Sequence, residues 1–149
     1  MGVAIALGIA LQGSACLGRA PQYEEIQDPD VISFAQRLQA FYGSIQNIPL
    51  DVRLTYDSSV LRTFFASDEE FAAYYASIAA QLRRAQFRNC TLERVSIVEF
   101  RFEKDDVAQV DLMLFGRHER TLRFGELELQ RVDVWERRNG NWVVTPGKI

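Results

Sequence analysis

The sequence predicts an α+β fold in which a curved antiparallel meander sheet wraps around N-terminal helices. Three observations predict it. Residues 91–146 carry period-two alternation of apolar and polar side chains, punctuated by turn residues, as strands of a half-buried sheet do. Near their end stands RVDVWERRNGNWVVTP, residues 131–146, in which Asn139-Gly140 supplies the two positive φ angles of a type I′ hairpin. Upstream, two segments carry apolar residues at helical spacing behind capping residues. They are the cover that the apolar face of such a sheet requires.

Composition bounds the rest. At 149 residues the chain is one domain plus a tail, long enough to bury a core. Its 48% hydrophobic and 25% charged residues exclude global disorder. A net charge of −3 gives no general drive toward nucleic acid. Of the two cysteines, Cys16 lies in the N-terminal segment, so no internal disulfide framework is implied. No apolar run after Cys16 is long enough to span a bilayer.

Residues 2–15 contain no charge and are mostly small or aliphatic, like the apolar core of a signal peptide. The end of this run, LQGSAC at residues 11–16, resembles a bacterial lipobox, although Gly13 stands where an aliphatic residue is usual. The resemblance implies that Cys16 is lipidated and becomes the mature N-terminus. An ordinary cut after Ala15, or a buried N-terminal helix with an incidental Cys16, are the competing readings. The expected organisation is a signal peptide over 1–15, a tether over 16–27 and a folded domain over 28–149. The expected location is the bacterial cell envelope, lipid-anchored or periplasmic, with the anchor as the sole membrane contact.

The domain opens on Asp28-Pro29, a capping residue followed by a proline suited to the first helical turn. Phe34, Leu38, Phe41 and Ile45 then form one apolar stripe. Gly43 weakens the last turn, and Pro49 requires an end by Asn47. A short second helix is expected over 49–56. Residues 60–65 read equally as strand or helix. Ser67 and Glu70 make a capping box for a helix to about Gln86, whose Phe71, Tyr74, Tyr75, Ile78 and Leu82 face one way. The cations Arg83, Arg84 and Arg88 at or beyond its C-terminal end read as complements to the negative helix end, with a phosphate or lipid-headgroup site as the competing reading.

In the first long strand, alternation turns Val98, Phe100 and Phe102 inward and leaves Val95 and Ile97 outward. Those two, with Met113 and Phe115, would suit a homodimer face. In the second strand Ala108, Val110, Leu112 and Leu114 point in. The third, over about 121–137, is long enough to need a bend at Gly125. If Trp135 points inward with Trp142 and Val144, so do Leu127, Leu129, Arg131 and Asp133; the competing phase buries Val132 and Val134. The tryptophan phase is preferred because more aromatic area is at stake.

This element order, with the closing VWERRNGNWVV hairpin, resembles the nuclear transport factor 2-like superfamily over roughly residues 30–146. That is the cone-shaped roll also found in ketosteroid isomerases and polyketide cyclases. The resemblance implies helices clasped by a curved sheet, with room for a pocket at the wide end. Its members include isomerases, dehydratases, cyclases, ligand binders and interaction modules, so fold alone does not give function.

Candidate site residues follow from the inward phase. Asp133 is the carboxylate aimed into the cone, Arg131 lies beside it on the same face, and Arg94 stands on the apolar-side phase of its own strand. Trp135 and Tyr42 complete the expected pocket. A structural ion pair is the bland reading of Asp133 and Arg131. His118, the one histidine, is expected at an exposed hairpin tip. It has no Cys or His at metal-ligand spacing and no serine elbow to serve. No phosphate-binding loop is present and no cofactor is expected. The leading expectation is a non-enzymatic envelope domain that binds a small apolar molecule or another envelope protein. The alternative is an isomerase-, dehydratase- or cyclase-type enzyme with an Asp–Tyr pair in the cone, Asp133 with one of the helical tyrosines.

Overall fold

The computed structural model describes residues 5–6, 28–51, 57–120 and 125–147. Cys16, the tether and most of the short helix expected over 49–56 lie outside them. Among the described residues no helix is long and apolar enough to cross a membrane.

The chain begins its first helix, α1 (Pro29–Ser44), where the sequence places it. The Asp28 side chain accepts the Asp30 N–H at 2.9 Å, and Pro29 fills the first turn. Residues 60–65 resolve toward helix as a single turn, α2 (Ser59–Arg62), capped by Ser58. The third helix, α3 (Asp68–Arg84), is capped by Ser67, which accepts the Glu70 N–H at 3.2 Å. The reciprocal half of the capping box is not made. Glu70 instead receives Arg138 at 2.7 Å, exchanging a local bond for one that ties α3 to the sheet.

The sheet is a five-stranded antiparallel meander in chain order: β1 (Ile5–Ala6), β2 (Arg94–Lys104), β3 (Val107–Arg117), β4 (Glu126–Arg138) and β5 (Asn141–Thr145). Asn139 and Gly140 have φ of 52° and 80°, the two left-handed residues of the predicted turn. The hairpin register pairs Arg137 with Trp142 and Trp135 with Val144, as the turn position requires. Trp135 and Val144 are fully buried and Val132 is exposed, so the tryptophan phase is the one adopted. Gly125 precedes β4 instead of bending it.

In β2 the expected phase is wrong for half the strand. The register slips between Ile97 and Glu99, so that Ile97 pairs with Leu112 and Glu99 with Asp111. Val98 is the extra residue of a β-bulge and is 49% exposed, where simple alternation placed it inside. Upstream of the bulge Val95 and Ile97 pack against the core; downstream Phe100 and Phe102 do so. Val95 and Ile97 therefore face inward and are not part of an outer face with Met113 and Phe115. That face is occupied by Arg101, which reaches Glu99, Glu103 and Asp111.

The core lies between the concave sheet and α1 and α3. Phe34 meets Phe100 at 5.3 Å and Trp135 at 5.9 Å, both edge-on, while Phe41 meets Trp135 at 5.5 Å and Tyr74 at 5.7 Å. Arg37 straps α1 to the end of the chain, donating to the Trp142 carbonyl at 2.5 Å and the Thr63 carbonyl at 2.6 Å.

Candidate functional site

Two features share the space between the helices and the sheet: a buried polar cluster and, beside it, an open cleft. The cluster is centred on Asp133. Period-two alternation carries its side chain inward from β4, and α1 and α3 each lay a tyrosine over it. Oδ2 accepts the Tyr42 hydroxyl at 2.8 Å and the Tyr74 hydroxyl at 2.7 Å, while Oδ1 accepts Arg131 Nε at 2.7 Å. The Tyr42 oxygen in turn accepts Trp135 Nε1 at 3.1 Å, and Arg131 Nη1 donates to Gln81 at 2.6 Å. Arg131 and Asp133 expose only 4% and 1% of their side chains.

The electrostatics are those of a satisfied buried ion pair. Burial disfavours phenolate and the Asp133 charge adds to that, so both Tyr42 and Tyr74 are held well above the usual tyrosine pKa and remain donors. Burial works against the Arg131 cation, but the adjacent carboxylate outweighs it and raises its pKa. Three donors therefore converge on one carboxylate. An acceptor so fully engaged anchors the core and is badly placed to take a proton from a substrate.

The cleft lies between α1 and the edge of β2. Its volume is about 370 Å³, and its lining includes Leu38, Tyr42, Gly43, Gln46, Ile97 and Phe100. Gly43 opens it: a Cβ built there would meet nothing within 4 Å. Gln39 and Ser96 add polar groups to the lining.

The sequence-predicted residues divide between these features. Asp133, Arg131, Trp135 and Tyr42 come together in the cluster, and Tyr42 also lines the cleft. Arg94 does not join Asp133. The register across from Phe115 turns it to the outer face, where its guanidinium lies 3.5 Å from the Phe115 ring centroid and 3.3 Å from Glu126. Arg94 is nonetheless among the residues that line the cleft. Sequence reasoning did not single out Tyr74 or Gln81 for the cluster. They stand seven residues apart on one face of α3, a spacing that marks a shared neighbour. It also missed the cleft stripe of Gln39, Gly43 and Gln46, whose helical spacing beside the apolar stripe was the available signal.

His118 is 5% exposed, contrary to the expected open tip. Its Nε2 lies 2.8 Å from Gln86 Oε1, and its Nδ1 accepts the Arg120 N–H at 2.9 Å. It bridges to the segment after α3, where Phe87 pairs with it across an isolated β-bridge. Among the described residues no group of His, Cys, Asp and Glu is arranged to hold a metal ion.

No family model matches the chain, and no curated protein matches it. Among solved structures it is similar to a candidate nuclear transport factor 2-like transpeptidase from Campylobacter jejuni, at 13% identity and a TM-score of 0.33. That match covers 78% of this chain and 96% of the other. A likeness at this level carries no argument about chemistry. The element order and curved meander described above agree with the fold that the sequence resembles.

Proposed function

We propose that this chain is a non-catalytic domain of the bacterial cell envelope that binds a small apolar, uncharged molecule in the cleft between α1 and β2. The observation that carries the reading is the cleft itself. Its volume of about 370 Å³ falls within the range of small-ligand sites, roughly 300–1,000 Å³. Leu38, Ile97 and Phe100 give it apolar walls, with Gln39, Gln46 and Ser96 as the few polar groups that orient a ligand. The nearest cation, Arg94, is committed to Glu126 and Phe115, so nothing in the lining asks for a charged ligand.

Binding is tested by filling the notch. Titration with a neutral environment-sensitive dye, N-phenylnaphthylamine, is expected to give saturable fluorescence in the native chain. Gly43→Leu is expected to abolish it while leaving the fold intact, because the new side chain enters open space on a helix. Equal dye binding by the two proteins would overturn the reading.

The enzyme alternative is favoured by the convergence of two tyrosine hydroxyls on Asp133. It requires a substrate to displace at least one donor from a carboxylate that the cleft lining does not include. The envelope location rests on the uncharged run before Cys16 and the small residues Gly13, Ser14 and Ala15. Intact mass of the membrane and soluble fractions tests it: a diacylated chain beginning at Cys16 is expected, and an unacylated chain beginning at Cys16, or an unprocessed soluble one, would refute the anchor.

A further inference from the structure

A second cavity opens between α3 and β4, and part of its wall is Arg131. Its volume is about 420 Å³, and Gln81, Ser77, Arg84 and two alanines line it from the helix side. Gln81 accepts Arg131 Nη1 at 2.6 Å, so the helix touches the guanidinium at that point. Ser77 stands four residues before Gln81 and Arg84 three after it, which puts them one turn to either side of the contact on the same face of α3. Ala76 and Ala80, with nothing beyond Cβ, leave the space between open.

No acidic side chain lines this cavity. Arg131 is almost wholly buried, with Nε on Asp133 and Nη1 on Gln81. Its third nitrogen, Nη2, has no acceptor among the described residues, yet it is not among the polar atoms sealed without a partner. It therefore reaches solvent, and this cavity is the solvent space that Arg131 lines. Arg84 likewise has no hydrogen bond or ion pair among the described residues, unlike Arg83, which reaches Asp51 at 3.3 Å. Asp133 neutralises Arg131, so the cavity carries the single positive charge of Arg84 beside a buried guanidinium with a donor to spare. Such groups call for an acceptor.

We propose that this cavity binds a small organic monocarboxylate, held between Arg131 Nη2 and the Arg84 guanidinium, with its apolar body against Ala76, Ala80 and Val132. The site is separate from the cleft between α1 and β2 and does not depend on it. Two guanidinium groups and no acid in the wall point to an oxyanion, and the planar fork of arginine matches a carboxylate. The single uncompensated charge favours one negative charge over a phosphate dianion. The volume of about 420 Å³ is more than a bare inorganic ion fills and lies in the range of small organic ligands, roughly 300–1,000 Å³. Complementing the negative end of α3 accounts for Arg84 alone. It does not account for the free nitrogen of a buried arginine opening beside it.

The test titrates the full chain, with the residues after Gly147 in place, against sodium benzoate and follows the backbone amides of Ala80 and Val132 in ¹H–¹⁵N spectra. Saturable shifts at both are expected, and none from benzamide, which keeps the shape without the charge. Arg84→Gln, at an exposed position, is expected to bind benzoate at least about tenfold more weakly. Gly43→Leu, which fills the other cleft, is expected to bind it as the native chain does. Absence of binding, equal binding of benzoate and benzamide, or unchanged binding by Arg84→Gln would overturn the proposal. Preference for inorganic phosphate over benzoate would do the same, and so would loss of benzoate binding in Gly43→Leu, which would move the ligand to the cleft between α1 and β2.

Discussion

Replacing Asp133 by asparagine is the most demanding perturbation of the core, because it changes almost no volume and removes one charge. The carboxylate accepts from Tyr42 and Tyr74 on one oxygen and from Arg131 on the other. An asparagine has one acceptor oxygen. Turned toward the tyrosines, it sets its amide N–H groups against the Arg131 donor and leaves a buried cation without a counter-charge. Turned toward Arg131, it faces two hydroxyls, and the Tyr42 oxygen already accepts from Trp135. Either orientation breaks a buried ion pair by removing one partner, which costs about 3–5 kcal/mol. That is a large part of the roughly 5–15 kcal/mol a domain of this kind has in hand. Urea denaturation at neutral pH, followed by tryptophan fluorescence, measures it directly, since Trp135 reports on the same cluster. The midpoint is expected to fall with the slope unchanged. A loss below about 0.5 kcal/mol would show that the cluster is not the satisfied ion pair described, and the account of Asp133 as an anchor would fail.

The tyrosines predict a pH dependence of the opposite kind to acid unfolding. Their folded pKa values lie above the ordinary 10.0, so the folded state holds protons that the unfolded state releases. This contribution is fully present below pH 10 and is lost as pH rises beyond it, at about 1.4 kcal/mol per pH unit for each tyrosine. Urea midpoints at pH 8, 10 and 11 should bend downward above 10, and Tyr42→Phe should make the bend shallower; an unbent profile refutes it. Gly43→Leu should leave stability unchanged or raise it by up to about 1 kcal/mol, the helical cost of glycine, as read by thermal unfolding. Gly116→Ala should destabilise by about 1–3 kcal/mol, since its Cβ would stand 2.6 Å from the Phe87 ring; a neutral result would mean that the ring moves freely. Deleting Val98 should be tolerated. The register then runs Ile97 with Leu112 and Glu99 with Asp111 without interruption, and Val95, Ile97, Phe100 and Phe102 all keep the inner face. A chain that fails to fold without Val98 would contradict this.

Much of the fold was legible because it is written in local chemistry. Asp28-Pro29, Ser67 and Asn139-Gly140 fix ends and turns by contacts a few residues long, and the hairpin then determines which way Trp135 and Asp133 point. The same alternation put Arg131 beside Asp133. What could not be read depends on residues far apart. The bulge at Val98 shows only in the pairing of β2 with β3, so nothing in the sequence around Val98 announces that the strand changes face there. Arg94 was misjudged for that reason, since its phase was counted through the bulge. His118 looks like a hairpin tip by its neighbours and is buried by Gln86, 32 residues earlier. Tyr74 and Tyr75 are adjacent and both aromatic, and only the sheet decides which of them meets the carboxylate.

The Asp133 cluster also bears on how the chain folds. Its two tyrosine bonds span 91 and 59 residues of sequence, and they join three separately formed elements at one atom. While either helix is undocked, the carboxylate and guanidinium must keep their water, and that water cannot remain once the aromatic layer closes. Full burial of this one charge pair therefore requires both helices in place on the sheet at once.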